Sequence, residues 1–267
     1  MLKSNQLDNK LVLIKANQLE QLTRCTEAVL SAGGKPILVG SDINNLSKIV
    51  ERIEKKYSKR LFFSEINNNE KEILKVKNKI YKKYKKYPEI LINDSDIEFE
   101  PMEMDDNFEI ELDKKIIEKW NKIINEELTV TLFLIKIFGY LMAESNGGII
   151  LNILSDIYLN PKVRIINNMR RINDVASVAI TNGLSGLTKY IATYWNEKGV
   201  RSNSLTIGPN NGNSYQLKGR TQLVDQIPIG RLANNDEIQS AILFLLSDAS
   251  SYMTGFNLVI NGGRTCW

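Results

Sequence analysis

The sequence predicts a single α/β domain, a parallel sheet covered by helices on both faces. Three observations point there. Short apolar runs of strand length alternate along the chain with amphipathic helical stretches, the pattern of strands buried on both sides. The 267 residues, 43% hydrophobic and 25% charged, suffice for one large core. Neither an internal repeat nor a linker composition interrupts them, so residues 1–267 read as one domain.

The elements follow in order. "KLVLI" (10–14) is a first strand, and a helix runs on through "TEAVLSAGG", where Gly33 and Gly34 are stop residues. "KPILVGSD" is a second strand. "NNLSKIVERIEKKY" is a helix with its apolar stripe at Leu46, Ile49, Val50 and Ile53. "RLFFSEI" is a third strand, "EKEILKVKNKIYKKYKKY" a helix and "EILIN" a fourth strand. A long helical tract covers about 112–144, and "GGIILNIL" is a fifth strand. "DVASVAITNGLSGLTKYIATYWNEKG" is a helix and "VRSNSLTI" a sixth strand. "NDEIQSAILFLLSD" is a last helix, and "FNLVING" a last strand.

Composition excludes several function classes. Histidine is absent, which removes His-ligated metals, a Ser-His-Asp triad and imidazole acid/base chemistry. Cys25 and Cys266 have no metal-ligand spacing and fit a reducing cytoplasm. The start lacks an apolar signal-peptide region, and no apolar run is long enough to span a membrane. A net charge of +4 is too small to imply a nucleic-acid protein.

Two charged tracts stand out. Residues 71–86 hold eight lysines interleaved with tyrosines. The stripe Ile73, Val76, Ile80 and Tyr84 favours a solvated helix face over a nucleic-acid surface. Residues 94–113 hold ten Asp or Glu and Pro101, and read as an irregular acidic loop without a metal-type ligand cluster.

"IPIGRLANNDEIQSAILFLLSDASSYMTGFNLVINGG", "GLTKYIATYWNEKGVRSNSL", "ILNILS" and "EILIND" occur in an order and spacing that resembles the short-chain dehydrogenase/reductase family, from about residue 8 to the end. The resemblance implies a Rossmann-type, doubly wound sheet with a nicotinamide cofactor across the carboxyl ends of the strands. It also implies a tetrad of Asn, Ser, Tyr and Lys. In that tetrad the Tyr supplies the proton, the Lys lowers its pKa and holds the ribose, and the Ser orients the carbonyl.

This chain departs from the pattern at most of those places. Lys15 and Ala16 fall on the Thr-Gly after strand one, and Glu20 and Leu22 on the two later glycines. Glycines there let backbone N–H groups approach a pyrophosphate. A Glu20 carboxylate at about 4 Å would oppose the ligand by on the order of 4 kcal/mol at an effective dielectric near 20. Lys15 reads as a surface charge with a possible pull on phosphate. Gly40 stands where an acidic ribose selector ends strand two, with Asp42 two residues on. Glu65 falls near the expected adenine. Asn93 is kept, while Asp94 and Ser95 replace Asn-Ala, and Ile207-Gly208 replaces Pro-Gly.

Ser177 and Thr181 take the places of the Tyr and the Lys. Ser155 matches the serine, and Glu127 (with Asn125 nearby) the helix asparagine. An unactivated serine hydroxyl is a poor substitute for a positioned acid, whose loss typically costs about a hundred to ten thousandfold. Tyr158 with Lys162 is a weaker substitute pair, because Pro161 lies between them. Tyr190 and Tyr194 are expected to face the core or an interface.

These losses make a non-catalytic member the leading expectation: a structural or regulatory subunit, paired with an active paralogue, with no intact catalytic set, no cofactor and no metal. It would assemble as a homo- or hetero-oligomer through the C-terminal helix and strand and the long central helices. The alternative is an NAD(P)-dependent oxidoreductase with a rearranged site, binding NAD or NADP. The C-terminal run is similar to family members of bacterial surface-sugar or flagellin modification. A third reading has the vacated cleft hold a sugar nucleotide without chemistry.

Overall fold

The structure is a computed structural model that describes residues 6–66, 69–95, 102–103, 114–156, 164–166, 169–172, 175–211 and 224–266. Strand β1 (Leu11–Lys15) leads into α1 (Leu19–Ser31), β2 (Lys35–Gly40), α2 (Ile43–Tyr57), β3 (Phe62–Glu65), α3 (Glu70–Tyr84) and β4 (Ile90–Asp94). After β5 (Met102–Glu103) comes one continuous helix, α4 (114–143). It is followed by β6 (Gly148–Ser155), β7 (Arg164–Ile166), β8 (Met169–Ile172), α5 (Val175–Tyr194), β9 (Val200–Ile207), α6 (Asn235–Leu246) and β10 (Asn257–Ile260).

Seven strands form one sheet in the order β10-β9-β6-β4-β1-β2-β3, and every pairing in it is parallel. The expected strands and helices are all present, which confirms the Rossmann-type doubly wound fold. One expectation is corrected. Part of the acidic tract read as irregular loop is β5, which joins β7 and β8 in a small antiparallel sheet. A two-residue strand in a polar run carries no periodicity by which to recognise it.

Alternating residues divide the core. Val12, Ile14, Leu38, Ile92, Leu151 and Leu205 face α1, α2 and α6. Leu11, Leu13, Ile37, Leu91 and Ile150 face α3 and α4, around the buried Phe138. Helix α4 is interrupted by two π segments, Ile124–Thr129 and Ile135–Gly139. Such segments insert a residue into the helix and often mark functional positions.

Candidate functional site

From β1 the chain builds outwards to β2 and β3, then crosses back to place β4 on the other side of β1. Such a reversal opens a crevice beyond the carboxyl ends of the strands. The residues that end β1, β4 and β6 define the candidate site: Lys15, Asn93 to Ser95, and Ser155 with Asp156, all buried.

Lys15 corrects the expectation of a surface charge. It closes a strand buried at every position and is itself 1% exposed. Its ammonium pairs with the Glu127 carboxylate, which the first π segment of α4 brings over the sheet. Glu127 also accepts hydrogen bonds from Asn17 Nδ2 at 2.6 Å and Ser95 Oγ at 2.9 Å. Asn17 Oδ1 accepts from the backbone N–H and the hydroxyl of Ser41 at 3.2 and 3.1 Å. One carboxylate thereby ties the ends of β1, β2 and β4 to α4. Pairing and hydrogen bonding offset the desolvation of both charges.

Two more buried ion pairs line the same edge. Arg24 of α1 grips Asp94 with both Nε and Nη2, at 3.1 and 2.9 Å. Burial pushes the adjacent Cys25 thiol well up, and the Asp94 charge 3.4 Å from Sγ adds to the shift. Arg264 donates to Asp156 Oδ1 at 2.8 Å. Beside Lys15, Asn93 donates to Asn152 Oδ1 at 2.9 Å, and Asn152 donates to Thr188 Oγ1 at 2.9 Å. Arg24, Asp156, Asn17 and Ser41 were missed by sequence reasoning. Only Arg24 carried a signal, a charge on the buried stripe of α1 beside Cys25 and Ala28.

The other sequence positions divide by role. Ala16 and Leu22 are buried in the core with Ile14, and Glu20 is exposed in the first turn of α1. A Cβ at Gly40 would lie 2.6 Å from the Ala16 carbonyl oxygen, so this glycine serves the crossing of two strand ends. Gly208 is likewise set by a close approach, with Asn261 Cα 2.7 Å from where its Cβ would be. Asp42 caps α2, accepting from the N–H groups of Asn44 and Asn45 at 2.8 and 3.1 Å. Ser155 ends β6, and Ser177 and Thr181 are buried on α5. Of the two places expected for Tyr190 and Tyr194, the core or an interface, the core is not theirs: both are exposed and stack on each other 5.6 Å apart. Tyr158 and Lys162 lie outside the described residues.

A cleft of about 840 Å³ opens at the ends of β1, β2 and β3, lined by Asn17, Ser41, Asp42, Asn45, Glu65 and Lys122, among others. Its hydroxyl, amide and carboxylate groups fit the sugar and base of an adenosine. The β1–α1 turn does not fit a diphosphate laid against glycine backbone, because Ala16, Glu20 and Leu22 fill the glycine places.

Residues 23–265 match the family model described as enoyl-(acyl carrier protein) reductase. The chain is 35% identical over 149 residues to trans-4-hydroxycyclohexanecarboxylate dehydrogenase of Sinomonas cyclohexanicum, covering 56% of this chain and 53% of that one. It is 31% identical over 155 residues to D-threitol dehydrogenase of Mycolicibacterium smegmatis, covering 56% and 55%. The chain thus spans about half the length of the curated relatives it matches. A short-chain dehydrogenase of Leptospira borgpetersenii, solved with bound NAD+, superposes with a TM-score of 0.77 at 26% identity, covering 99% of this chain and 97% of that one. Relatives named as dehydrogenases overturn the expectation of a non-catalytic subunit and favour its oxidoreductase alternative. Fold, family model and relatives agree: the chain belongs to the short-chain dehydrogenase/reductase family.

Proposed function

We propose that this chain is an NAD(P)-dependent oxidoreductase with a rearranged site, acting on an alcohol–carbonyl pair. The observation that carries the proposal is the polar cleft at the ends of β1, β2 and β3, beside the reversal of strand order. The dehydrogenase names of the relatives support the reaction class. A bound nicotinamide supplies the hydride acceptor; the chain's part is to hold the nucleotide and to keep water from the buried ends of β4 and β6. Asn17, Ser41 and Asn45 are the groups for ribose and base.

The same cleft favours NAD over NADP. Asp42, Glu65 and Glu126 set three carboxylates against the single ammonium of Lys122, and a ribose phosphate would meet net repulsion there. We also propose self-association through the exposed apolar residues of α4 and α5. Incubation with NAD+ and a panel of cyclic secondary alcohols and polyols, followed by nicotinamide absorbance, tests the activity. NAD+ reduction by at least one alcohol is the expected result, with NADP+ at least about tenfold weaker in affinity. A folded chain that turns over none of the panel in either direction with either nucleotide counts against it.

A further inference from the structure

Residues 70–86 hold eight lysines against two glutamates, a larger positive excess than the net +4 of the whole chain. Ile73, Val76 and Ile80 of α3 are buried, which leaves the lysines to the solvent side. Lys75, Lys79 and Lys82 are exposed and spaced by four and three residues, so they form one row along the helix. Like charges at those spacings destabilise a helix. The helix dipole accounts for Lys82 and Lys83 in the last turn, but not for Lys75 and Lys79. Among the described residues, Lys75 alone of this row has a carboxylate partner, Glu72 at 2.6 Å.

Past the end of α3 the row runs into a pocket. Tyr81 stacks on Tyr87 at 5.0 Å. Lys86 and Tyr87 line a pocket of about 880 Å³ at the amino ends of β4, β6 and β9, the sheet edge opposite the polar cleft. Tyr87, Leu141, Met142 and Ile149 give it apolar walls, and Tyr252, which also lines it, is fully exposed. Both of its carboxylates face a cation: Glu89 pairs with Lys86 at 3.0 Å, and the Asp248 charge acts on Arg201. Lys10 is left in excess.

We propose that α3 and this pocket form one docking surface for an acidic segment of a partner protein, its carboxylates along the lysine row and an apolar side chain anchored in the pocket. Charge complementarity and the continuity of row and pocket carry the assignment. Each exposed lysine–carboxylate pair is weak by itself, so the row supplies steering and register and the buried anchor supplies the hold. The rings favour a protein segment over a nucleic acid. Tyr81 and Tyr87 cover each other, and Lys83 stands over the rings of Phe62 and Tyr84 at 5.2 and 5.4 Å, so these faces are partly covered before a base could stack on them. No residue of this surface lines the polar cleft, and the inference is independent of the oxidoreductase reading.

The probe is a fluorescently labelled Asp- and Glu-rich peptide with one central Phe, followed by anisotropy on the full chain. A second peptide has Ser in place of the Phe. The variants are Lys79→Glu with Lys82→Glu, which reverses the row, and Ser145→Trp, which fills the pocket from an exposed position; circular dichroism checks that each is folded. The Phe peptide is expected to bind the wild type saturably, and more weakly as salt is added. The charge-reversed variant, Ser145→Trp and the Ser peptide should each weaken binding by about tenfold or more. If Ser145→Trp does not fold, the Ser peptide decides whether the pocket takes an anchor. The proposal is overturned by absence of saturable binding to the wild type, or by equal binding to the charge-reversed variant. Equal binding of the Ser peptide, or unchanged binding to folded Ser145→Trp, overturns it as well. A single-stranded oligonucleotide that binds the row more tightly than the peptide does would make it a nucleic-acid surface instead.

Discussion

Gly40 and Arg24 act on the site through packing and charge rather than through contact with a ligand. At Gly40 an added methyl would meet the Ala16 backbone oxygen at 2.6 Å, and backbone cannot swing aside as a side chain can. Gly40→Ala is therefore expected to destabilise by about 1–3 kcal/mol in denaturant unfolding, the usual range for overpacking. Arg24→Ala removes the guanidinium that pairs with the buried Asp94 carboxylate and is expected to cost about 3–5 kcal/mol. Arg24→Met with Asp94→Leu should recover most of that loss, and failure to recover would show that the pair does more than neutralise itself. Cys25 is buried with its thiol pushed up, whereas Cys266 is exposed. Thiol titration of the native chain should count one reactive group, and two only after unfolding.

At the scale of elements, the strands and helices were legible because each carries its own period, apolar runs for strands and an apolar stripe for helices. The links between elements were not. Lys15 and Glu127 are 112 residues apart, Arg24 and Asp94 are 70 apart, and Asp156 and Arg264 are 108 apart. No local pattern joins such partners, so Lys15 read as a surface charge and Asp156 went unnoticed. The π segments were hidden for a related reason: one inserted residue barely disturbs a helical pattern, while the fit to the sheet decides where it falls. The second segment ends at Gly139, where a Cβ would lie 2.4 Å from the Trp195 ring. Helix α6 shows the opposite case, a local signal fully expressed. Glu237 accepts from the Asn234 N–H at 2.8 Å and from Arg231 at 2.7 Å. The Arg231 hydrogen bond, then the Asn234 N–H, hold its carboxyl down at about 2, against an ordinary 4.5. A depressed carboxylate stabilises the fold above its unfolded value and loses that contribution as pH falls through the folded one. Glu237→Gln should thus lower the melting temperature at neutral pH. The gap to wild type should close as pH falls from about 4.5 towards about 2, and a gap constant with pH would refute the cap.

Among the described residues, the main sheet has seven strands, and three buried ion pairs and a polar cleft lie at its carboxyl edge. No helix among the described residues is long and apolar enough to cross a membrane. Leu132 and Tyr140 on α4 and the stacked Tyr190 and Tyr194 on α5 are exposed apolar groups, of the kind that mark association surfaces. Light scattering should find the wild type as an oligomer, and Tyr190→Lys with Tyr194→Glu should shift it towards monomer; a wild type that is monomeric throughout would remove the proposed interface. The sheet was legible from the alternation of strands and helices along the chain and the family from four segments between residues 89 and 263, whereas the cleft was not, because three strand ends and α4 assemble it. That cleft carries the claim of a nicotinamide oxidoreductase, and calorimetric titration with NAD+ tests it most directly. Saturable binding of one NAD+ per chain, with NADP+ weaker, is the predicted result. A folded chain that takes up neither nucleotide would contradict the account.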